Sequence, residues 1–163
     1  MSKPLTLDTE LFLPRPREEV FPFFADAFNL EAITPPFLRF KVTTEAPIEM
    51  QVGALIDYKL RLHGIPITWR TRIAAWEPPY RFVDEQLKGP YSLWRHEHTF
   101  EEVEGGTLVR DHVDYWPIFG GALVDKLFVR RDLESIFAYR TQRLIELLAP
   151  ELVTDEGELA QAS

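Results

Sequence analysis

A chain of 163 residues, 45% of them hydrophobic, has the size of one globular domain; it should bury about 70% of its unfolded surface and leaves no room for a second folded unit. Its 18 Lys and Arg against 26 Asp and Glu give a net charge of −8 with no basic run, which excludes the phosphate backbone of a nucleic acid as a partner. The absence of Cys excludes a disulfide framework, a thiolate nucleophile and a thiolate-held metal, and no stretch resembles a leader's apolar core or the roughly 20 apolar residues of a membrane span, so a cytoplasmic protein without stable membrane insertion is expected.

Leu5 to Leu13 alternates apolar and polar residues and stops at Pro14, the pattern of a strand. From Pro16 to about Leu30 the period changes. Val20, Phe21, Phe23, Phe24, Ala27 and Phe28 recur at helical spacings behind Glu18 and Glu19, whose charges suit a helix N-terminus. Pro22 has no amide to donate, so this helix is expected to be short or broken. Thr34-Pro35-Pro36 then turns the chain toward extended geometry.

Six segments with β-branched or aromatic alternation follow: Phe40 to Thr44, Ala54 to His63, Ile65 to Trp76, Arg81 to Leu87, Tyr91 to Glu101 and Thr107 to Trp116. Gly53, Gly64, Pro78-Pro79, Gly89-Pro90 and Gly105-Gly106 separate them, which is the turn chemistry of antiparallel hairpins and too short for parallel crossovers. Pro117 to Gly121 closes the strand region. Ala122 to Leu148 reads as one long helix, with Leu123, Leu127, Leu133, Phe137, Leu144 and Leu148 on one face and Arg130 within it. Residues 150–163 are acidic and aperiodic, so a frayed tail is expected behind a domain spanning residues 1–149. The fold class is therefore α+β, a curved antiparallel sheet of six to seven strands around a long C-terminal helix. One helix cannot cover so many strands, so a cavity between the two is expected. The 12 Phe, 5 Tyr and 4 Trp suit an aromatic-walled pocket.

That order of elements, together with Arg17-Glu-Glu-Val-Phe-Pro-Phe-Phe, Asn29-Leu-Glu-Ala-Ile-Thr-Pro-Pro36, Trp76-Glu-Pro-Pro-Tyr-Arg-Phe82, Gly89-Pro-Tyr91, Trp94-Arg-His-Glu-His-Thr-Phe100 and Gly106-Thr-Leu-Val-Arg-Asp111, resembles the START-like helix-grip superfamily. This superfamily, also called SRPBCC, includes polyketide cyclase/dehydrase-like proteins, and the similarity covers about residues 5 to 148. The resemblance implies a cavity for lipids, aromatic polyketides, hormones or other hydrophobic compounds, with catalysis in only some members. Some relatives join such a module to a nucleotide-binding oxidoreductase domain. This sequence has no Gly-x-Gly-x-x-Gly fingerprint, so no cofactor is implied.

Alternation puts Trp94, His96, His98 and Phe100 on one strand face, and the flanking aromatics mark it as the inner one. The same logic turns Asp111 and Tyr115 inward beside Val109 and Val113, and leaves Arg110, His112 and Asp114 outward. An inward Asp111 needs a compensating donor, and His96 or His98 on the neighbouring strand supplies one, either as a structural bond or as an acid/base couple for enolisable substrates. Asp84 and Gln86, in phase with Phe82, form a third inward set. Tyr58 offers a cavity hydroxyl, and Trp69, Trp94 and Phe137 an apolar lining. Arg130 must snorkel, pair with a carboxylate such as Asp84 or Asp111, or meet an anionic ligand group.

A small hydrophobic or aromatic ligand is thus the expected partner, with the domain acting as carrier, sensor, or cyclase-, dehydratase- or isomerase-like enzyme. Two other classes compete. His96, His98 and Glu102 reproduce a cupin-like His-x-His-x3-Glu metal spacing, although the further histidine such a site needs is missing, and no metal is expected. A protein-partner regulatory module fits the acidic tail, and homodimerisation stays open. The sequence contains no nucleophile elbow, phosphate loop or His-Glu-x-x-His helix, so any catalysis rests on imidazoles, carboxylates and hydroxyls.

Overall fold

A computed structural model describes residues 3–118 and 125–153, without the side chains of residues 126 and 127. Seven antiparallel strands form one sheet: β1 (Leu5–Leu13), β2 (Lys41–Val42), β3 (Leu55–Leu62), β4 (Ile65–Glu77), β5 (Arg81–Lys88), β6 (Tyr91–Val103) and β7 (Gly106–Pro117). The spatial order is β1-β7-β6-β5-β4-β3-β2, so β2 to β7 run as the expected meander, and β1 joins beyond β7. The β3–β4 turn is built by His63 and Gly64, both at positive φ (48° and 79°), as a two-residue hairpin of right-handed twist requires. Gly106 fits where it does because a Cβ there would stand 2.1 Å from the Leu13 carbonyl oxygen. Beside it, buried Thr107 donates its hydroxyl to the Arg15 carbonyl at 2.8 Å, which fastens the start of β7 to the end of β1.

The strand expected over Phe40 to Thr44 shortens to Lys41–Val42. Arg39 turns the chain at φ 46°, and at the other end the Thr44 hydroxyl accepts the Asp57 amide at 2.8 Å in place of a ladder bond. Helix α1 (Arg17–Ala25) runs through Pro22, which lies on its exposed side; Val20, Phe21 and Phe24 are buried. The break comes four residues later, at Asp26, whose carboxylate accepts the Phe28 amide at 3.0 Å and starts a 3-10 turn, Ala27–Asn29. Helix α2 (Leu30–Ile33) follows and is tied on two sides: Glu31 accepts the Val42 amide at 2.9 Å, and Arg143 donates to the Ala32 carbonyl at 3.1 Å.

The C-terminal helix α3 (Arg130–Leu148) is preceded by a π-helical turn, Asp125–Val129. Its expected start at Ala122, the loop to Gly121 and the position of Leu123 lie outside the described residues, as does the side chain of Leu127. Leu133, Phe137, Arg140, Leu144 and Ile145 form the buried face. Ordered packing continues past Ala149: Pro150–Leu152 makes a 3-10 turn, Leu152 packs on the core, and Glu151 pairs with Arg15 at 2.6 Å. The remainder of the expected tail, residues 154–163, lies outside the described residues. Among the described residues no helix is long and apolar enough to cross a membrane.

Three apolar clusters make up the core. One gathers Phe21, Phe24, Phe82, Phe100 and Leu144; a second Trp94, Tyr115, Leu133 and Phe137; a third Ile56, Tyr58 and Ile73. Partly buried side chains link them, Leu30 and Trp76 the first to the third and Trp69 the second to the third.

Candidate functional site

Between the concave sheet and α3 lies a cavity of about 170 Å³. Leu30, Ile33 and Phe40 close one side, Leu60 and Trp69 the sheet side, and Leu133 and Phe137 the helix side. A recess of about 40 Å³ adjoins it and shares Tyr58, Thr71, Asp84, His98 and Arg140. Trp69 and Trp94 meet edge to face at 5.3 Å, the preferred aromatic geometry, which gives the wall a fixed shape. The Trp69 indole donates to the Thr71 hydroxyl at 3.1 Å, so its polar edge is satisfied within the wall.

The polar end of this cavity comes from strand register. His98 pairs with Asp111 on β7 and with Phe82 on β5, and His96 pairs with Asp84, so two histidines and two carboxylates converge on one patch. The His96 and His98 rings stack at 3.7 Å, and Phe82 continues the stack at 4.1 Å from His98. His96 Nε2 lies 2.7 Å from Asp111 Oδ1, and His98 Nε2 lies 2.7 Å from Asp84 Oδ2. Asp111 also receives the Thr9 hydroxyl at 2.8 Å and a guanidinium nitrogen of Arg140 at 3.5 Å. His98 Nδ1 stands 3.3 Å from Asp111 Oδ1 without the alignment of a hydrogen bond, and Arg140 Nε has no partner. Phe24 and Phe137 hold the Arg140 guanidinium, with ring centres at 5.6 and 5.7 Å.

Burial alone would raise both carboxyls, but their surroundings outweigh it. The charge of Arg140, with the bond from His96 and the close approach of His98, holds Asp111 well below the usual carboxylate range. The His98 bond and the charges of His96, His98 and Arg140 hold Asp84 down too. For His98 burial favours the neutral ring, yet the Asp111 carboxylate close beside it and the bond to Asp84 reverse this and raise its pKa. His96 goes the other way: burial, then the adjacent charge of His98, lower it against the pull of Asp111. The consistent assignment is ionised Asp84 and Asp111, charged His98 and Arg140, and neutral His96, which leaves the patch without net charge. An ionised Asp111 can only accept, so His96 donates from Nε2 and carries its lone pair on Nδ1. That nitrogen makes no hydrogen bond among the described residues.

The geometry sorts the residues picked out in the sequence. Tyr58, Trp69, Asp84, Trp94, His96, His98 and Phe137 line the cavity. Asp111 sits behind the histidines as their acceptor. Tyr115 is fully buried but turned away, donating to Asp125 at 2.7 Å. Gln86 bridges the β5–β6 turn, bonding the Tyr91 amide and carbonyl. Arg130 pairs with neither Asp84 nor Asp111. It lies in the first turn of α3, where it reaches Glu134 at 2.9 Å and the Thr6 carbonyl. The interior cation is Arg140. The signal for it was present in the sequence: Leu133, Phe137 and Leu144 bracket it at helical spacing, and nearly three turns deeper into the helix a side chain cannot snorkel out.

The cupin-like set does not assemble. Glu102 is exposed near the end of β6, where Arg17 lies 3.8 Å from it. Asp84, His96 and His98 do bring ligand atoms within 4.8 Å of one another. Yet both Nε2 atoms are committed to carboxylates, and lone pairs of stacked imidazoles lie in parallel planes that do not converge on one ion. As it stands, the patch is a hydrogen-bonded set of imidazoles, carboxylates and a guanidinium.

A family described as polyketide cyclase / dehydrase and lipid transport matches residues 13–133. The chain belongs to this family. Its membership, with the helix-grip fold, makes it a ligand-binding domain of the START-like superfamily. Protein CV1439 of Chromobacterium violaceum has the same fold at 16% identity, with a TM-score of 0.72 over 90% of this chain and 99% of that one. Protein Ms6760 of Mycobacterium smegmatis gives 0.67 at 18% identity, over 90% and 92%. A nucleoside-diphosphate sugar epimerase of Corynebacterium glutamicum is 27% identical, with a TM-score of 0.62, over 86% of this chain but only 28% of that protein, so the likeness is to one part of it. No curated protein matches the sequence.

Proposed function

We propose that this polyketide cyclase/dehydrase family member binds a small, largely apolar molecule of one or two aromatic rings between its sheet and α3. The observation that carries this reading is the aromatic-walled cavity of about 170 Å³ with a neutralised His–Asp–Arg patch at one end. A cavity of about 150 Å³ admits benzene, so the volume favours a compact ring system over a long acyl chain. The apolar wall supplies affinity, and the polar end fixes orientation through hydrogen bonds. Trp69 and Trp94 make occupancy visible. Titration with 2-naphthol should quench tryptophan fluorescence saturably at one site per chain. Ile136→Trp, which fills the cavity from the helix side, should abolish saturation while leaving the thermal transition cooperative. Linear, unsaturable quenching of the wild-type protein would rule the cavity out as a binding site.

A further inference from the structure

We propose that the open end of the cavity is a docking surface for an anionic lipid bilayer, with Phe37, Ile65 and Phe128 entering the interface and Arg39, Lys41, Lys59 and Arg61 facing the headgroups. This surface is the outside of the rim, so its role goes beyond the binding reading and does not rest on it.

Exposed apolar side chains from three elements stand around the opening. Thr34, Leu62 and Ile136 line the cavity and are themselves partly exposed, which marks its open side. Phe37, Ile65 and Phe128, beside that side, are 66%, 63% and 62% exposed. Phe37 lies in a 3-10 turn, Pro36–Leu38, whose last residue lines the cavity. Ile65 stands opposite Leu62 across the β3–β4 turn. The same turn is fastened to α3 by His63, whose Nε2 lies 2.8 Å from Asp132, about one helical turn past Phe128. A folded partner buries a contiguous face of about 800 Å², whereas a fluid interface conforms to separate projections.

Charge selects the kind of surface. Arg39, Lys41, Lys59, Arg61 and Arg131 are exposed at this end and enter no ion pair among the described residues. Lys41 on β2 stands directly opposite Lys59 on β3, an arrangement that costs stability until an anion relieves it. Of the carboxylates nearby, Asp132 and Glu134 are held by His63 and Arg130, and Glu31 accepts the Val42 amide. Glu18 and Glu19 in α1, Glu45 and Glu49 before β3, and Glu104 in the β6–β7 turn lie at the other end of the strands, in no ion pair among the described residues. Val52 at that end is comparably exposed, yet the chain just before it carries Glu45 and Glu49 and no cation, so it repels what the rim attracts. The length of the sheet decides which charges a bilayer feels. Strand β4, with 13 residues, spans roughly 40 Å, several times the Debye length of about 8 Å at physiological salt. The net charge of −8 is therefore largely screened from a bilayer at the rim, where the local cations govern.

The test mixes the full chain with vesicles of phosphatidylcholine and phosphatidylserine in equal parts, or of phosphatidylcholine alone, and measures flotation. The wild-type protein should float with the first and not with the second, and salt at about 1 M, where the Debye length is about 3 Å, should release it. The double variant Lys59→Gln, Arg61→Gln should bind on the order of 25-fold more weakly, since each cation near an anionic surface contributes roughly fivefold. Ile65→Ser should lose roughly tenfold, whereas Arg110→Gln, on the outer face of β7, should bind as the wild type does. None of these side chains lines the cavity, so 2-naphthol quenching and the thermal transition should match the wild type in every variant. Absence of flotation with the mixed vesicles, or equal flotation of the wild type and both rim variants, overturns the docking surface. Poly-L-glutamate binding as strong as vesicle binding, lost in Lys59→Gln, Arg61→Gln but kept in Ile65→Ser, assigns the rim to an acidic protein segment and also overturns it. Flotation by a chain that shows no saturable quenching sustains the docking surface and removes the cavity reading alone.

Discussion

Strand β7 carries a histidine–carboxylate cluster on each of its faces, and the two behave differently although their groups are the same. On the outer face His112 sits 2.5 Å from Asp8 and 3.1 Å from Asp114, with 41% of its side chain exposed. On the inner face His96 and His98 are 5% and 4% exposed and share Asp84 and Asp111 with Arg140. Outside, water solvates each charge, and the contacts are worth little beyond what solvation already gives. Inside, the imidazoles are shielded and even Asp84 is only 19% exposed, so the charges are compensated mainly by one another. Burial, not composition, turns a set of ion pairs into a site with fixed protonation.

The widest separation between the faces should come from neutralising one carboxylate on each. Asp111→Asn leaves two buried cations facing Asp84 alone, and should cost about 3–5 kcal/mol of unfolding free energy in urea. Asp8→Asn should cost less than about 1 kcal/mol. Similar losses for the two would mean that water reaches the inner patch. A smaller contrast separates the two arginines of α3. Arg140→Ala removes a buried partner of Asp111 and the packing on Phe24 and Phe137, with an expected loss of about 3 kcal/mol. Arg130→Ala, whose side chain is 37% exposed, should stay within about 1 kcal/mol in the same denaturation series.

Those arginines also show what the sequence could and could not convey. Period-two alternation on β6 and β7 announced the inward faces, because one sheet face is buried and a one-residue slip would invert it. Trp94, His96, His98, Phe100 and Asp111 were legible for that reason. On β5 alternation decides less, because Val83, Glu85 and Leu87 make the phase opposite to Phe82 almost as plausible, and Val83 is itself fully buried. Register across strands was not legible: nothing local says that Asp84 stands opposite His96 and not His98. Nor was the depth of a helical arginine. Arg130 and Arg140 share one stripe, and only the position of α3 against β1 and β7 decides that the first reaches a carbonyl at the rim while the second is enclosed. Tyr115 is buried, but its hydroxyl is taken by Asp125, a partner no alternation pattern reveals.

The smallest and sharpest difference between the faces is in their response to salt. His98 and His112 both have raised pKa values, the first because the Asp111 and Asp84 carboxylates beside it outweigh burial, the second chiefly through its bond to Asp8. A histidine raised on folding contributes stability that is complete below its unfolded value of about 6.5 and is lost as pH rises through the folded value. His96, lowered on folding, has the opposite sign: it costs stability as pH falls below about 6.5, where the unfolded ring gains a proton that the buried one resists. Proton NMR titration of the imidazoles should therefore place His98 and His112 above the ordinary value and His96 below it. Raising the salt to about 1 M shortens the Debye length to about 3 Å, which screens the exposed pair and leaves the buried one. His112 should then move back toward the ordinary value while His98 and His96 stay apart. If salt draws His98 and His96 together as readily as it relaxes His112, solvent has access to both faces of β7, and the fixed tautomer of His96 loses its physical cause.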